Sequence, residues 1–178
     1  TALSWISIPE SVKWIGNQAF SGCTALMNVM IPKNVTSIGE YAFERCTGLK
    51  SATLSESVSF IGAFAFGNCS SLQAVCFLGS APEIGMQAFK IYDTNPDEAA
   101  NIPGLTLYYI DGKSGWTTPE WNGYPTATWD GTYFPHAHEY RPVVTAPTCT
   151  EKGYTTYICA LCNDSYVADE VAALGHAW

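Results

Sequence analysis

The amino-acid sequence predicts a mostly β repeat protein, a solenoid built from 23-residue units. The first observation behind this prediction is a set of glycines at a constant 23-residue spacing, namely Gly16, Gly39, Gly62 and Gly85. The second is an Ala-Phe pair at the same spacing, with its phenylalanines at Phe20, Phe43, Phe66 and Phe89. The third is a composition that is 47% apolar and only 13% charged. Stacked repeats bury the same few apolar positions, so charges are needed only at the rim.

Each repeat predicts a short strand, a corner and a turn. Residues 26–32 suit a strand, and the proline at their end marks where the strand stops. Gly39 is expected at a tight corner that needs an unusual backbone angle. The stretch around Ala42 and Phe43 predicts a turn or a short helix.

Charge and hydropathy exclude several classes of protein. Eight Lys and Arg residues against sixteen Asp and Glu residues give a net charge of −8. A nucleic-acid binder needs positive charge to displace counterions from phosphates, so no nucleic-acid partner is expected. No apolar run approaches the roughly 20 residues that cross a bilayer, so this segment is not expected to insert into a membrane. Residues 3–9 are patterned as a strand and not as a signal peptide.

The repeat motif I-G-x-x-A-F-x-x-C-x-x-L resembles the BspA-type (Treponema-type) leucine-rich repeat over about residues 1–89. The resemblance implies a leucine-rich-repeat solenoid, a curved stack with a sheet on one face. That family occurs in secreted and cell-surface bacterial proteins, and its members look like adhesion and protein-binding scaffolds, not enzymes. It therefore implies an extracellular or cell-surface location and a protein or peptide ligand of host or bacterial origin.

The domain organisation follows from where the repeat pattern ends. The solenoid is expected over residues 1–131, with an insertion loop at 90–104, because the strand that begins at Leu105 comes ten residues later than the period requires. Residues 132–178 predict a separate, small β-hairpin module rich in Cys and His. The chain also reads as part of a longer surface protein.

An aromatic C-terminal cap is expected at residues 112–131. A solenoid has to cover its last apolar face, and Trp116, Trp121 and Tyr124 follow directly after the final strand. The alternative is that these three rings form a platform on which sugars stack, which would make a glycan the ligand.

Cysteines fall into two groups with different expected chemistry. Cys23, Cys46 and Cys69 share one position in the repeat and are expected to be buried, reduced thiols. Cys76 lies outside that row, at the repeat position of Met30, and is expected to be exposed. The remaining three cysteines belong to the C-terminal module.

A structural zinc site is expected in that module. Cys159-x-x-Cys162 places two thiolates on one cation, and Cys149 with His176 completes a tetrahedron, with His138 as the alternative ligand. Four protein ligands would leave no open position for catalysis. A disulfide, or thiols that stay reduced, are the alternatives. The segment is also similar to Cys/His-rich units that recur in surface proteins of Firmicutes.

No enzyme is predicted, because residues 1–135 lack histidine and no phosphate-binding loop or H-E-x-x-H motif is present. The outward side of the strands is the expected binding face. Its candidate contact residues are Met27, Met30, Lys50, Gln73, Leu107 and Tyr109. The predicted function is a non-catalytic protein-binding or adhesion scaffold. The alternative is a carbohydrate-binding or spacer module attached to a secreted glycoside hydrolase.

Overall fold

The structure is a computed structural model that describes residues 6–92, 98–131, 140–159 and 165–175. In chain order its strands are β1 (Trp14–Ile15), β2 (Asn28–Ile31), β3 (Ser37–Ile38), β4 (Ser51–Leu54), β5 (Phe60–Ile61), β6 (Ala74–Phe77), β7 (Glu83–Ile84), β8 (Lys90–Ile91), β9 (Ala100–Asn101), β10 (Thr106–Ile110), β11 (Glu120–Trp121), β12 (Tyr124–Trp129), β13 (Tyr140–Thr145), β14 (Gly153–Cys159) and β15 (Ser165–Val171). No α-helix lies in the described ranges. The predicted mostly β solenoid is confirmed.

The chain divides into two compact units, Thr1–Pro135 and His136–Trp178. In the first unit, one strand of each repeat joins a six-stranded sheet in the order β11, β12, β10, β6, β4, β2. All neighbours in that sheet are parallel except β11 and β12. Asn28 lies opposite Ser51, and Ser51 lies opposite Ala74, so these neighbouring strands are offset by one repeat.

A second, four-stranded parallel sheet closes the other side of each coil. Its strands β1, β3, β5 and β7 have two residues each, and Ile15, Ile38, Ile61 and Ile84 lie in register across them. The first three of these isoleucines are buried and form one side of the core. The insertion after the fourth coil carries a small antiparallel pair, β8 with β9.

The core is a set of side-chain ladders that run along the solenoid. Rings of consecutive repeats stack at centroid distances of 5.2 Å for Phe20–Phe43, 5.1 Å for Phe43–Phe66 and 5.2 Å for Phe66–Phe89. The last three of these rings have no exposed surface, whereas Phe20, at the first described coil, is half-buried. Phe43 and Phe66 are therefore each covered by the same residue of both neighbouring coils, which is why one short motif is enough to specify a core.

The repeated glycines have a different role from the expected one. Gly39 does not adopt a left-handed backbone angle, so the prediction of an unusual angle there is wrong. A Cβ on Gly62 would lie 2.6 Å from the backbone nitrogen of Glu40, and one on Gly85 would lie 2.3 Å from that of Ala63. The glycine is needed because the backbone of the preceding coil passes too close for a side chain.

Left-handed backbone angles occur instead at a neighbouring position of the repeat. That position is occupied by Gln18, Tyr41, Phe64 and Gln87, with φ between 53° and 57°. Such angles cost residues other than glycine roughly 1 kcal/mol or more each. The stacking of coils supports them, because the N–H of Tyr41 donates to the Ala63 carbonyl at 3.0 Å. Residues 42–43 form a turn and not a helix.

At the amino-terminal end, residues 6–9 are not in a strand, although the sequence predicts one over 3–9. Residues 1–5 lie outside the described part of the chain. Ile6 and Ile8 are partly buried against the core.

The second unit is an antiparallel sheet of β13, β14 and β15. Tyr140 lies opposite Cys159 at one end of β14, and Gly153 lies opposite Val171 at the other end. The rings of Tyr157 and Tyr166 stack across the sheet with centroids 5.0 Å apart. In the part of the chain that the structure describes, no helix is long and apolar enough to cross a membrane.

Candidate binding surface

The outward side of the six-stranded sheet is the candidate binding surface, here called the sheet face. Within each strand, side chains such as Val29, Ile31, Val75 and Phe77 point into the core, so the alternate residues point outward. On the five parallel strands, which define its extent, the sheet face consists of Asn28, Met30, Ser51, Thr53, Ala74, Cys76, Thr106, Tyr108, Ile110, Pro125, Ala127 and Trp129. None of these side chains is charged. The exposed Glu120, which lies opposite Pro125 on the edge strand β11, borders the sheet face.

On the sheet face, the side chains of the central strands β4 and β6 are shorter and less exposed than those of the edge strand. Ser51, Ala74 and Cys76 occupy the central strands and are only 2%, 3% and 0% exposed. Met30, on the edge strand β2, is 56% exposed. Tyr108 stands beside Cys76 on the next strand and is half-buried. Small side chains between larger ones produce a shallow, uncharged depression.

Two predicted contact residues, Leu107 and Tyr109, lie on the wrong side of the sheet. Leu107 is fully buried opposite Val75, and Tyr109 is 8% exposed opposite Phe77. The sequence pattern aligns β10 with the preceding repeat one residue out of register, because the insertion interrupts the period. An error of one residue moves every side chain of a strand to the other face of the sheet. The outward residues of β10 are Thr106, Tyr108 and Ile110.

The other predicted contact residues are placed along or beside the sheet face. Met30 belongs to it, while Met27, Lys50 and Gln73 directly precede β2, β4 and β6. Lys50 N–H donates to the Met27 carbonyl at 2.8 Å, and Gln73 N–H donates to the Lys50 carbonyl at 2.9 Å. The three residues thus form one row at the amino ends of the strands. Gln73 is exposed, and Met27 and Lys50 are half-buried.

The cysteines of the repeat are part of the packing. The Cys46 thiol donates to the Phe20 carbonyl, and the Cys69 thiol donates to the Phe43 carbonyl, both at 3.1 Å. Cys23, Cys46 and Cys69 are free thiols, and only Cys23 has appreciable exposure. A hydrogen bond with Cys46, together with burial, holds the pKa of the Cys69 thiol well above its usual range.

Cys76 does not have the exposure that its sequence position predicts. It lies opposite Thr53 on the outward side of the sheet but has no exposed surface. A small side chain on a central strand is covered by its neighbours even on an open face. Burial raises the pKa of the Cys76 thiol well above its usual value.

The three aromatic residues of the predicted cap are packed into the end of the core. Trp116 stacks on Tyr109 at 5.1 Å and lies 4.6 Å from the Trp121 ring, and its Nε1 donates to the Gly79 carbonyl at 3.2 Å. Trp121 and Tyr124 are 8% and 3% exposed. Burial raises the pKa of Tyr124, whose hydroxyl accepts from the Phe89 N–H. Trp121 and Tyr124 therefore have almost no exposed ring surface on which a sugar could stack.

The structure separates two of the four predicted zinc ligands. Cys149 lies in the connection between β13 and β14, and its carbonyl accepts from Gly175 N–H at 3.1 Å. Cys159 is the last residue of β14. Six residues of strand separate Cys159 from Gly153, a distance of about 20 Å.

The distance between Cys149 and Cys159 is too large for the predicted set of four zinc ligands. Zinc holds each sulfur at about 2.3 Å, so one ion cannot bind both Cys149 and Cys159 in this arrangement. Cys162, His138 and His176 lie outside the described residues. Among the residues that are described, no group of three His, Cys, Asp or Glu side chains could hold a metal ion.

Comparison with protein families gives one match. Residues 1–106 match the model of the BspA type leucine rich repeat region, which covers 6 copies of the repeat. The match extends beyond residue 89, where the resemblance was expected to end, and reaches the first residue of β10. Searches of the curated proteins and of the solved structures gave no match.

Proposed function

Because the chain belongs to the BspA-type leucine-rich repeat family, we propose that it is a non-catalytic, adhesion-type protein-binding scaffold of a secreted or cell-surface bacterial protein. Repeats of this type form a scaffold family without catalytic function, and they are typically found in bacterial surface proteins. The ligand we propose is a protein or peptide of host or bacterial origin.

The observation that carries the proposal is the uncharged sheet face. Charged side chains are depleted in the core of protein interfaces, because burying an unpaired charge is costly. The sheet face crosses five parallel strands without a charged side chain. Met30 at its edge is flexible and adaptable, as side chains at protein-binding surfaces often are.

A single charge in the middle of the sheet face tests this proposal. Thr53→Arg places a long cation in the central depression, and Thr47→Arg, in an exposed turn of the same repeat, is the matched control. The full chain is immobilised, proteins from host-cell surfaces and bacterial walls are captured, and the affinity of each captured protein is measured. We expect Thr53→Arg to weaken binding about 30-fold and Thr47→Arg to leave it within about twofold. Equal affinity of both variants would place the ligand elsewhere.

We also propose one structural zinc in the C-terminal unit, with a ligand set centred on Cys159 and Cys162. Support comes from their spacing and from the pairing of Tyr140 with Cys159. His138 is two residues from Tyr140, and two residues of chain span at most about 7 Å. This makes His138, the alternative ligand of the sequence prediction, a better partner for Cys159 than His176.

A further inference from the structure

Two joined clefts lie on the outward side of the four-stranded sheet, away from the sheet face. They share Phe60, Ala81 and Glu83. The first cleft, of about 550 Å³, continues to Trp121 and Asn122. The second cleft, of about 440 Å³, also contains Glu56, Ser59 and Ser80. We call the two together the Phe60 cleft.

The centre of the Phe60 cleft is an exposed aromatic ring. Phe60 lies on β5, between β3 and β7, and its neighbour Ile61 points into the core. The Phe60 side chain is 41% exposed even though it belongs to an inner strand. A single exposed apolar residue is common on protein surfaces. Here, however, the ring is bordered by two depressions that can hold a ligand against it.

The charge of the Phe60 cleft is negative. Glu56 and Glu83 are both exposed and line the second depression. Neither carboxylate makes an ion pair or a side-chain hydrogen bond with another residue of the described part of the chain. No Lys, Arg or His lines either depression. The site therefore combines a partly exposed aromatic ring with two carboxylates that have no counter-charge among the described residues lining the cleft.

We propose that the Phe60 cleft binds an arginine side chain of a basic peptide segment. A guanidinium group is planar, so it can stack on the Phe60 ring and direct its N–H donors to the carboxylate of Glu83. The second carboxylate, on Glu56, provides a further site for the same cation or for its neighbour in the peptide. The Ser59 and Ser80 hydroxyl groups and the Asn122 amide add acceptors for the remaining donors.

Charge complementarity selects this occupant over others. An acidic peptide would meet two carboxylates, and a neutral glycan would leave both without a counter-charge. The net charge of −8 also attracts a basic partner over long range and raises its rate of association. Phe60 and Glu83 lie on the four-stranded sheet and none of the cleft residues belongs to the sheet face, so this proposal stands independently of the protein-binding role of the sheet face.

Binding of a fluorescein-labelled hexa-arginine peptide to the full chain, followed by fluorescence anisotropy, tests the proposal. Glu83→Gln and Glu56→Gln each remove one carboxylate, and Glu40→Gln removes the same charge from an exposed site outside the cleft. Phe60→Leu keeps an apolar side chain but removes the ring. We expect each cleft variant to weaken binding about fivefold, and Glu40→Gln to change it less than about twofold. Hexa-lysine is expected to bind more weakly than hexa-arginine.

Three results would overturn the proposal. Equal losses in Glu83→Gln and Glu40→Gln would show that only overall charge matters. Amide shifts on adding hexa-arginine that miss Phe60 and Glu83 would place the peptide elsewhere. Binding of a neutral oligosaccharide that depends on Phe60 but not on Glu83 would make the cleft a glycan site. Hexa-arginine binding is expected to be the same in the Thr53→Arg and Thr47→Arg variants, so failure of the sheet face is distinguished from failure of the cleft.

Discussion

The two units of the chain are built from the same kind of element, the short hydrogen-bonded strand, but they differ in what the strands cover. In the solenoid, the ladder residues Phe43, Phe66 and Phe89 have no exposed surface. In the second unit, by contrast, the strand residues Val144 and Val167 are 74% and 55% exposed. Nevertheless, β14 and β15, with seven residues each, are longer than any described strand of the first unit.

The difference shows that strand pairing and stability have separate origins. Backbone hydrogen bonds replace equivalent bonds to water, so their net contribution is modest, whereas burial of apolar surface is the dominant favourable contribution to folding. In the solenoid, each coil buries its apolar side chains against the neighbouring coils. A unit of about 40 residues whose strands expose such apolar side chains needs another source, such as a metal or a disulfide.

The largest effect is expected from removing the cross-link of the second unit. If zinc holds Cys159 and Cys162, a chelator is expected to abolish the β13–β15 sheet and leave the solenoid intact, since metal binding there supplies the folding energy. Amide NMR signals of the two units report the two outcomes separately. Elemental analysis is expected to find one zinc per chain, and all seven cysteines to titrate as thiols after unfolding.

Absence of zinc together with two missing thiols would replace the metal by a disulfide. A sheet that survives both chelation and reduction would contradict the need for any cross-link.

A smaller but still large loss of stability is expected from removing one ring of the phenylalanine stack in the solenoid. Phe66→Ala removes a fully buried ring between two others and is expected to lower the free energy of unfolding by about 3–5 kcal/mol. Phe20→Ala, at the half-buried end of the same ladder, is the matched control and is expected to cost clearly less. Urea unfolding measures both. Equal costs would mean that stacking between coils is not what stabilises the ring.

The smallest of the three effects concerns the close approach of neighbouring coils. Gly62→Ala introduces a Cβ only 2.6 Å from a backbone nitrogen of the preceding coil, and overpacking of this kind costs about 1–3 kcal/mol. Gly16→Ala, at the same repeat position, has no described atom within 4 Å of the new Cβ and is expected to be nearly neutral. Thermal unfolding distinguishes the two. Similar losses in both variants would point to a backbone-angle requirement at this position instead.

Much of the solenoid could be predicted from the sequence, because each repeat contacts its neighbours at a constant offset. The 23-residue period alone places Phe43 on Phe66 and Ser51 beside Ala74. The period did not predict on which face of the sheet the Leu107 side chain lies. The insertion breaks the period, and strand alternation then depends on which residue re-enters the sheet opposite Val75.

The candidate sites could be predicted from the sequence less well than the solenoid core, because each site depends on distances between segments that are far apart in the sequence. Cys149 and Cys159 are ten residues apart in a pattern typical of a metal module, yet β14 holds them at opposite ends of a strand. For the Phe60 cleft, the repeat period places Phe60 beside Glu83, one repeat further on, but it does not predict that a cleft forms there. Phe60, Glu83 and Trp121 are brought together by two turns of the solenoid and by the return of the cap.

What the sequence by itself determined is the solenoid: its period, its core residues and the family to which it belongs. These follow from composition and spacing, because a repeated unit has only its own copies to pack against. The tertiary structure alone decided the outward residues of β10, the reason for the glycines and the extension of the Phe60 cleft to Trp121 and Asn122. Each of these depends on how closely segments distant in the sequence approach one another, which a repeat period does not encode.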